Sequence, residues 1–254
     1  MKNDNIVMME EYTLPSLGKV YDVPVNPVIR ISSMLTEHEM RRLSPSERPY
    51  KTLCEIIDDC LVDNPGISSY DMCMADYMFL LQKLRVATYG QKYDVMSTCS
   101  YCGSETKQTI NLDELEVTYY DSNNFAELSQ FTLPKTGKRI KLTMQTPRMN
   151  DDIAVRSKEL RRKTGGQAGD SAFLFTLQMI VDTVDDKRLD IITSEDFLRN
   201  LPMMDTNYIT QHAQKLVESF GLKNEITRTC PVCGLDYTSS FRYGQDFFRP
   251  DIDI

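Results

Sequence analysis

Four cysteines form two matching motifs that lie far apart in the chain. The first is Cys99-Ser100-Tyr101-Cys102, the second is Cys230-Pro231-Val232-Cys233, and a glycine follows each. A C-x-x-C loop directs two thiolates at one point, and the following glycine permits the positive φ that such a loop usually needs. Four thiolates complete the tetrahedral coordination of a structural zinc ion. The sequence therefore predicts a Zn²⁺ cofactor held by Cys99, Cys102, Cys230 and Cys233.

Strand-like segments flank both motifs. Residues 93–98 and 105–112 surround the first motif, and residues 225–229 and 235–243 surround the second. Each motif is therefore predicted to be the tip of a β-hairpin, and two such hairpins sharing one ion make a zinc ribbon. Because residues 103–229 separate the two cysteine pairs, we expect a ribbon that is split by an inserted sub-domain. The alternative is two unrelated C-x-x-C pairs, either redox-active or incidental.

The whole chain predicts an α+β fold. We expect a split four-cysteine zinc ribbon, made of two β-hairpin knuckles, with N-terminal helices and an inserted hairpin-plus-helical sub-domain. The parts in order are an N-terminal extended arm (1–34), a helical segment (35–91), the first zinc knuckle hairpin (92–119), the inserted hairpin and helical sub-domain (120–222), and the second zinc knuckle hairpin with a C-terminal tail (223–254).

Capping residues and apolar stripes predict three N-terminal helices. Residues 36–39 are typical of a capping box that opens a short helix, and residues 48–62 carry one apolar stripe. A longer helix is predicted from residue 70 to about 88, capped by Ser69 and ended by Gly90. Its charged residues Asp76 and Arg85 are expected on a half-exposed edge, because charges are seldom fully buried. The alternative is an internal ion pair or a binding feature.

The inserted segment combines one hairpin with several helical patterns. Residues 131–133 and 139–144 form the predicted hairpin, and a helix follows from Pro147 to residue 163. The basic residues 161–163 complement the dipole of this helix or, alternatively, contact phosphate or an acidic partner. Further helices are predicted from the cap Asp170 through residue 184, after Ser194, and from the cap Asp205 to Gly221.

Both ends of the chain are candidate docking segments. Prolines within residues 10–31 favour an edge strand or an arm added to another sheet. The tail, residues 244–254, carries Phe247, Phe248, Ile252 and Ile254, and aromatic anchors on an extended segment are suited to partner recognition. We expect both ends to bind neighbouring proteins. The competing hypothesis is that they pack on the chain's own core.

Composition indicates a soluble protein made in a reducing compartment. Of the 254 residues, 41% are hydrophobic and 26% are charged, and the formal net charge is −8. The apolar runs fall short of the ~20 residues of a membrane span, and the N-terminus lacks the apolar core of a signal peptide. The chain has seven cysteines, an odd number, and three of them fall in helical patterns: Cys54, Cys60 and Cys73. This use of cysteine is typical of proteins that fold in a reducing cytoplasm. We expect no membrane partner, and the negative charge argues against unspecific nucleic-acid binding.

The sequence offers no catalytic motif. A four-thiolate zinc site leaves no position for water, whereas catalytic zinc keeps one open. The two histidines, His38 and His212, are expected at the surface, and no G-x-S-x-G elbow, P-loop or G-x-G-x-x-G occurs. Neighbouring carboxylates point apart on a helix, and three such pairs are expected at helix ends or exposed faces: Asp58-Asp59, Asp151-Asp152 and Asp185-Asp186. We therefore predict no enzyme and no small-molecule substrate.

The order of several short motifs resembles a family of phage proteins. The motifs are Leu14-Pro15-Ser16-x-Gly18-x-x-Tyr21, Thr36-Glu37-x-Glu39, Leu84-Arg85-x-x-x-Tyr89-Gly90-x-x-Tyr93 before the first C-x-x-C-G, a late second C-x-x-C-G, and Phe247-Phe248-x-Pro250. Together they resemble the baseplate hub and hub assembly proteins of contractile-tailed, T-even-like bacteriophages, most clearly over residues 14–103 and 228–250.

This resemblance implies a non-enzymatic structural or assembly protein of the tail baseplate hub. Such a protein is made in the bacterial host cytoplasm and located in the virion, with other baseplate hub or tail-tube proteins as partners. The resemblance carries over the four cysteines as a structural pair of knuckles and supplies no catalytic residue.

Two other functions are left open by the sequence. One is a zinc-ribbon module that binds nucleic acid or the transcription machinery through residues 156–163. The net charge and the scarcity of basic residues near the knuckles, apart from Lys107 and Arg228, weigh against it. The other is a zinc-dependent enzyme, which needs an open metal site.

Overall fold

The computed structural model describes residues 10–166, 171–240, 243 and 245–248 of the chain. Over these residues, helices combine with small antiparallel sheets, as predicted. The helices are α1 (Thr36–Leu43), α2 (Pro49–Cys60), α3 (Met74–Tyr89), α4 (Ser122–Ser129), α5 (Pro147–Lys163), α6 (Ser171–Ile180), α7 (Ile191–Arg199) and α8 (Met203–Glu218). The strands are β1 (Glu11–Thr13), β2 (Val28–Arg30), β3 (Lys92–Thr98), β4 (Glu105–Asn111), β5 (Val117–Thr118), β6 (Gln130–Thr132), β7 (Arg139–Leu142), β8 (Val181–Val184), β9 (Gly221–Leu222), β10 (Glu225–Thr229) and β11 (Asp236–Ser240). Within the described part of the chain, every helix is too short or too polar to span a bilayer.

The first core forms where α2 and α3 pack against the β1–β2 pair and the base of the β3–β4 hairpin. Three consecutive residues of α3, Phe79, Leu80 and Leu81, are buried, so this helix is enclosed on most of its circumference. α3 ends before Gly90, whose φ of +83° confirms the predicted helix end. Tyr93 at the start of β3 belongs to the same apolar cluster. The first hairpin is therefore fixed at its base to the core.

The two charged residues of α3 are buried, so the predicted half-exposed edge is wrong. Asp76 is fully buried and accepts hydrogen bonds from the Ser16 amide at 2.9 Å and the Tyr21 hydroxyl at 2.6 Å, and burial raises the pKa of its carboxyl group. Arg85 is 1% exposed and donates to the Gly90 carbonyl at 2.7 Å. Asp76 thus fastens the loop after β1 to α3, and Arg85 closes the turn between α3 and β3.

Both chain ends pack on the first core, as far as the structure describes them. β1 pairs with β2 in antiparallel register, and Leu14 and Ile29 are fully buried. Phe247 and Phe248 are also buried. The competing hypothesis, that the ends pack on the chain's own core, therefore holds for Leu14, Ile29 and these two aromatic residues. Binding of neighbouring proteins by the ends stays a prediction. Ile252 and Ile254 lie outside the described residues.

A second core is formed by the segment between the two cysteine motifs. β7 pairs with β6 and with β8. Side chains of this sheet pack with side chains of α6 and α8 in one apolar cluster. The predicted β6–β7 hairpin and the bounds of α5 are confirmed. The predicted helix through residue 184 ends at Ile180 instead, and Val181–Val184 forms β8, because its β-branched residues favour a strand. Helix α4, capped by Asp121, was not predicted, and the proposed cap Asp170 lies outside the described residues.

Two predicted helix starts in the N-terminal half are wrong. α1 begins after Leu35, whose amide donates to Nδ1 of His38 at 3.0 Å, so Thr36 is the first helical residue rather than the cap. His38 is buried, although it was expected at the surface. α3 begins at Met74, and the hydroxyl of Ser69 donates to a backbone carbonyl of α2 instead of capping α3.

Two buried aspartates bind backbone amides of distant segments. Asp205 was expected to cap α8, but α8 begins after Pro202, and the Asp205 carboxylate accepts from two amides of the β6–β7 turn at 2.9 Å each. Asp151 on α5 was expected on an exposed face, but it is buried and accepts from the Lys51 amide at 2.9 Å. Since the first amides of a helix have no intrahelical partner, Asp151 caps α2 from another helix.

Candidate metal centre

The two cysteine motifs lie at the tips of two hairpins with the same loop geometry. β3 pairs with β4, and β10 pairs with β11, which confirms the predicted hairpins. In the first loop the Cys99 amide donates to the Ser104 carbonyl, and in the second the Cys230 amide donates to the Leu235 carbonyl, both at 2.9 Å. The glycine after each motif has a positive φ, +68° at Gly103 and +73° after Cys233, as the sequence predicted.

The structure brings all four predicted ligands together. The four sulfur atoms lie within 4.8 Å of one another. Two distances cross between the hairpins: Cys99 to Cys233 is 3.8 Å, and Cys102 to Cys230 is 3.7 Å between Sγ atoms. A tetrahedral ion with metal–sulfur bonds of about 2.3 Å holds its sulfurs about 3.8 Å apart. The donor type and the spacing therefore fit one zinc ion.

Side-chain contacts hold the two hairpins beside each other. The Ser97 hydroxyl on β3 lies 2.7 Å from the hydroxyl of Tyr237 on β11, and Tyr237 is buried beside Cys99 and Cys230. Arg228 on β10 donates to a carbonyl of β4 at 3.4 Å. The sequence did not indicate Tyr237 as part of the centre, because cross-hairpin contacts leave no local spacing signal.

Polar groups around the sulfurs favour thiolate at two positions. Hydrogen bonds from Ser104 lower the pKa of Cys102. A hydrogen bond from the Ser104 hydroxyl, followed by amide donors of the second motif, lowers the pKa of Cys230 to about 6. The Leu235 amide also lowers the pKa of Cys233, but burial and the neighbouring sulfurs outweigh it and raise that pKa to about 12. Four adjacent sulfurs can all be charged only if a cation balances them.

The other cysteines are separate from this cluster. Cys54, Cys60 and Cys73 are buried, and burial raises their pKa values to about 12, 11 and 12. They match the expected small apolar residues of the cores. His212 is half-buried, with its ring 4.0 Å from that of Phe131. The described metal-ligand cluster therefore consists of thiolates only, a donor set that fills all four positions of a structural site.

The fold mixes helices with small sheets and brings four cysteines together. These features are typical of a structural protein, in which a bound metal ion would stabilise the chain. A family model described as T4 bacteriophage base plate protein matches residues 9–249, so the chain belongs to that family. No curated protein and no solved structure matches the chain. The protein is therefore a phage baseplate protein, located in the virion tail with other tail or baseplate proteins as partners. Its family is structural, which favours a non-enzymatic role.

Proposed function

We propose that this protein is a structural or assembly subunit of the baseplate hub, in which one Zn²⁺ ion joins two hairpins into a split zinc ribbon. The observation that carries the proposal is the cluster of four sulfurs, with cross-hairpin distances of 3.7 and 3.8 Å. Cys99, Cys102, Cys230 and Cys233 are the ligands in this proposal.

The ion would cross-link segments that are distant in the chain. Structural zinc contributes on the order of 10 kcal/mol to the folding of small modules. Here both apolar cores lie outside the sulfur cluster, so they retain their own contacts when the metal is lost. Metal removal should therefore loosen the β10–β11 hairpin and the tips of both knuckles without unfolding the whole chain.

Zinc content and protease sensitivity test the metal assignment. Cys99→Ser and Cys233→Ser should lower zinc below one ion per chain and expose the hairpins to limited proteolysis. Cys54→Ala is the matched control, because this cysteine is buried in the first core, and it should keep full zinc content. Full zinc occupancy in both serine variants would defeat the assignment.

The division of the chain into five parts is also part of this proposal. A separate apolar cluster built mainly from residues between the knuckles supports an inserted sub-domain at 120–222. Two residues of the helical segment, Cys73 and Ala75, join this cluster, and Asp151 caps α2. The inserted part is therefore attached to the N-terminal helices by packing as well as by the chain.

The partners that we propose are other hub or tail-tube proteins; membership of the baseplate family supports partners among tail or baseplate proteins. Tails purified from infected cells should contain this protein if it stays in the virion. Tails assembled with the Cys99→Ser protein should contain less of it than tails assembled with the Cys54→Ala protein. Equal incorporation of the two variants would show that assembly does not depend on the zinc site.

The nucleic-acid hypothesis gains no support from the basic residues near the hairpins. Lys107 pairs with Asp94 at 3.0 Å, and Arg228 donates to a carbonyl of β4. Arg156, in the segment first considered as the contact, lies 4.2 Å above the ring of Phe175. A gel-shift measurement at physiological salt should show no sub-micromolar binding.

A further inference from the structure

The Ser104 hydroxyl lies between sulfurs that belong to different hairpins. Its Oγ atom is 3.0 Å from Sγ of Cys102, in its own loop, and 3.4 Å from Sγ of Cys230, in the other loop. Ser104 is half-buried at the edge of the cluster, while Cys102 is exposed. The hydroxyl therefore contacts one surface sulfur and one buried sulfur at once.

The two loops show that this contact is not required by the loop geometry. Ser104 and Leu235 occupy equivalent positions, two residues after the second cysteine of each motif, and each carbonyl accepts the amide of the first cysteine at 2.9 Å. Leu235 makes the same backbone contact without a hydroxyl, and its side chain is 50% exposed. The serine side chain thus adds an interaction that the backbone of this loop does not need.

A metal-bound thiolate accepts hydrogen bonds and cannot donate them. The Ser104 hydroxyl must therefore be the donor to Cys102 or Cys230 when the cysteines bind metal. Such a bond withdraws negative charge from the sulfur and restrains its position. Outer groups that bind metal ligands in this way typically change metal affinity by about 10–100-fold.

We propose that Ser104 is a positioning residue of the metal centre, which strengthens metal binding by donating its one hydroxyl hydrogen bond to the thiolate of Cys102 or of Cys230. This inference rests on the proposed function, because it takes the four cysteines to be zinc ligands. Ser104 acts through the sulfurs and is not itself a ligand. Because it reaches both hairpins, it restrains the junction that the metal cross-links.

The test compares Ser104→Ala with Leu235→Ala, the matched change in the other loop, and with Ser104→Thr, which keeps the hydroxyl. Zinc content is measured first, and then transfer of zinc to a chromogenic chelator. Ser104→Ala should retain one zinc per chain but bind it about tenfold more weakly. Leu235→Ala and Ser104→Thr should remain within twofold of the original protein.

Cobalt substitution supplies a readout that a purely structural defect would not move. Loss of the hydrogen bond raises the electron density on sulfur, so the thiolate-to-cobalt charge-transfer band of Ser104→Ala should shift to lower energy. If the original protein binds no zinc, the proposed function fails. If it binds one zinc but Ser104→Ala matches it in affinity and spectrum, or Leu235→Ala weakens binding equally, only the role of Ser104 is wrong.

Discussion

Replacing Phe247 by alanine should destabilise the whole first core, although this residue lies near the C-terminus. The Phe247 side chain is 2% exposed. Its ring lies 4.0 Å from that of Tyr243, 5.1 Å from that of Phe248 and 5.2 Å from that of Tyr93, measured between centroids. Tyr93 begins the first knuckle hairpin, so the tail covers the junction between that hairpin and α3.

The expected loss follows from this burial. Truncating a fully buried phenylalanine to alanine typically costs about 3–5 kcal/mol through lost transfer free energy and the cavity left behind. Favourable ring pairs add about 0.5–1.5 kcal/mol each beyond the buried area. Because Phe247 makes three such contacts, we expect a loss in the upper half of the range for phenylalanine truncation, about 4–5 kcal/mol.

Urea unfolding followed by far-ultraviolet circular dichroism, with zinc in excess, measures this loss. Phe173→Ala is the matched control, because Phe173 on α6 is 46% exposed, and its truncation should cost less than about 1.5 kcal/mol. If Phe247→Ala lowers the free energy of unfolding by less than about 1 kcal/mol, or by no more than the control, the conclusion that the tail packs on the first core is wrong. The tail aromatics would then be available for partner binding, as the sequence first suggested.

Two other predictions concern titration and thiol reactivity. Burial raises the pKa of Asp205, but amide and hydroxyl donors of the β6–β7 turn outweigh it and lower that pKa. The pKa of an aspartate in the unfolded chain is about 4, so the Asp205 carboxylate stabilises the fold fully above that pH. This stabilisation should be lost as the pH falls through the lowered pKa of Asp205 in the folded protein. Unfolding of Asp205→Asn from pH 2.5 to 7 checks this; a stability difference from the original protein that is constant with pH would contradict it. Cys54, Cys60 and Cys73 should label slowly with a thiol reagent in the native zinc-loaded protein, because burial raises their pKa values; mass spectrometry of labelled peptides identifies any that react rapidly.

The sequence alone determined the features that depend on local spacing. A C-x-x-C-G motif fixes the loop that presents two sulfurs, so both hairpins and all four clustered cysteines could be predicted. The end of α3 at Gly90 and the start of α5 at Pro147 likewise depend on the backbone preferences of single residues.

Contacts between distant segments were decided only by the tertiary structure. Aspartate is usually a surface or helix-capping residue. Three aspartates are nevertheless buried here, because remote amides or hydroxyls donate hydrogen bonds to their oxygens: Asp76, Asp151 and Asp205. No sequence period encodes such a pairing, since the donors lie dozens of residues away. The same reason explains the tail: the sequence shows that Phe247 is apolar, and only the position of Tyr93 in the folded chain decides what it covers.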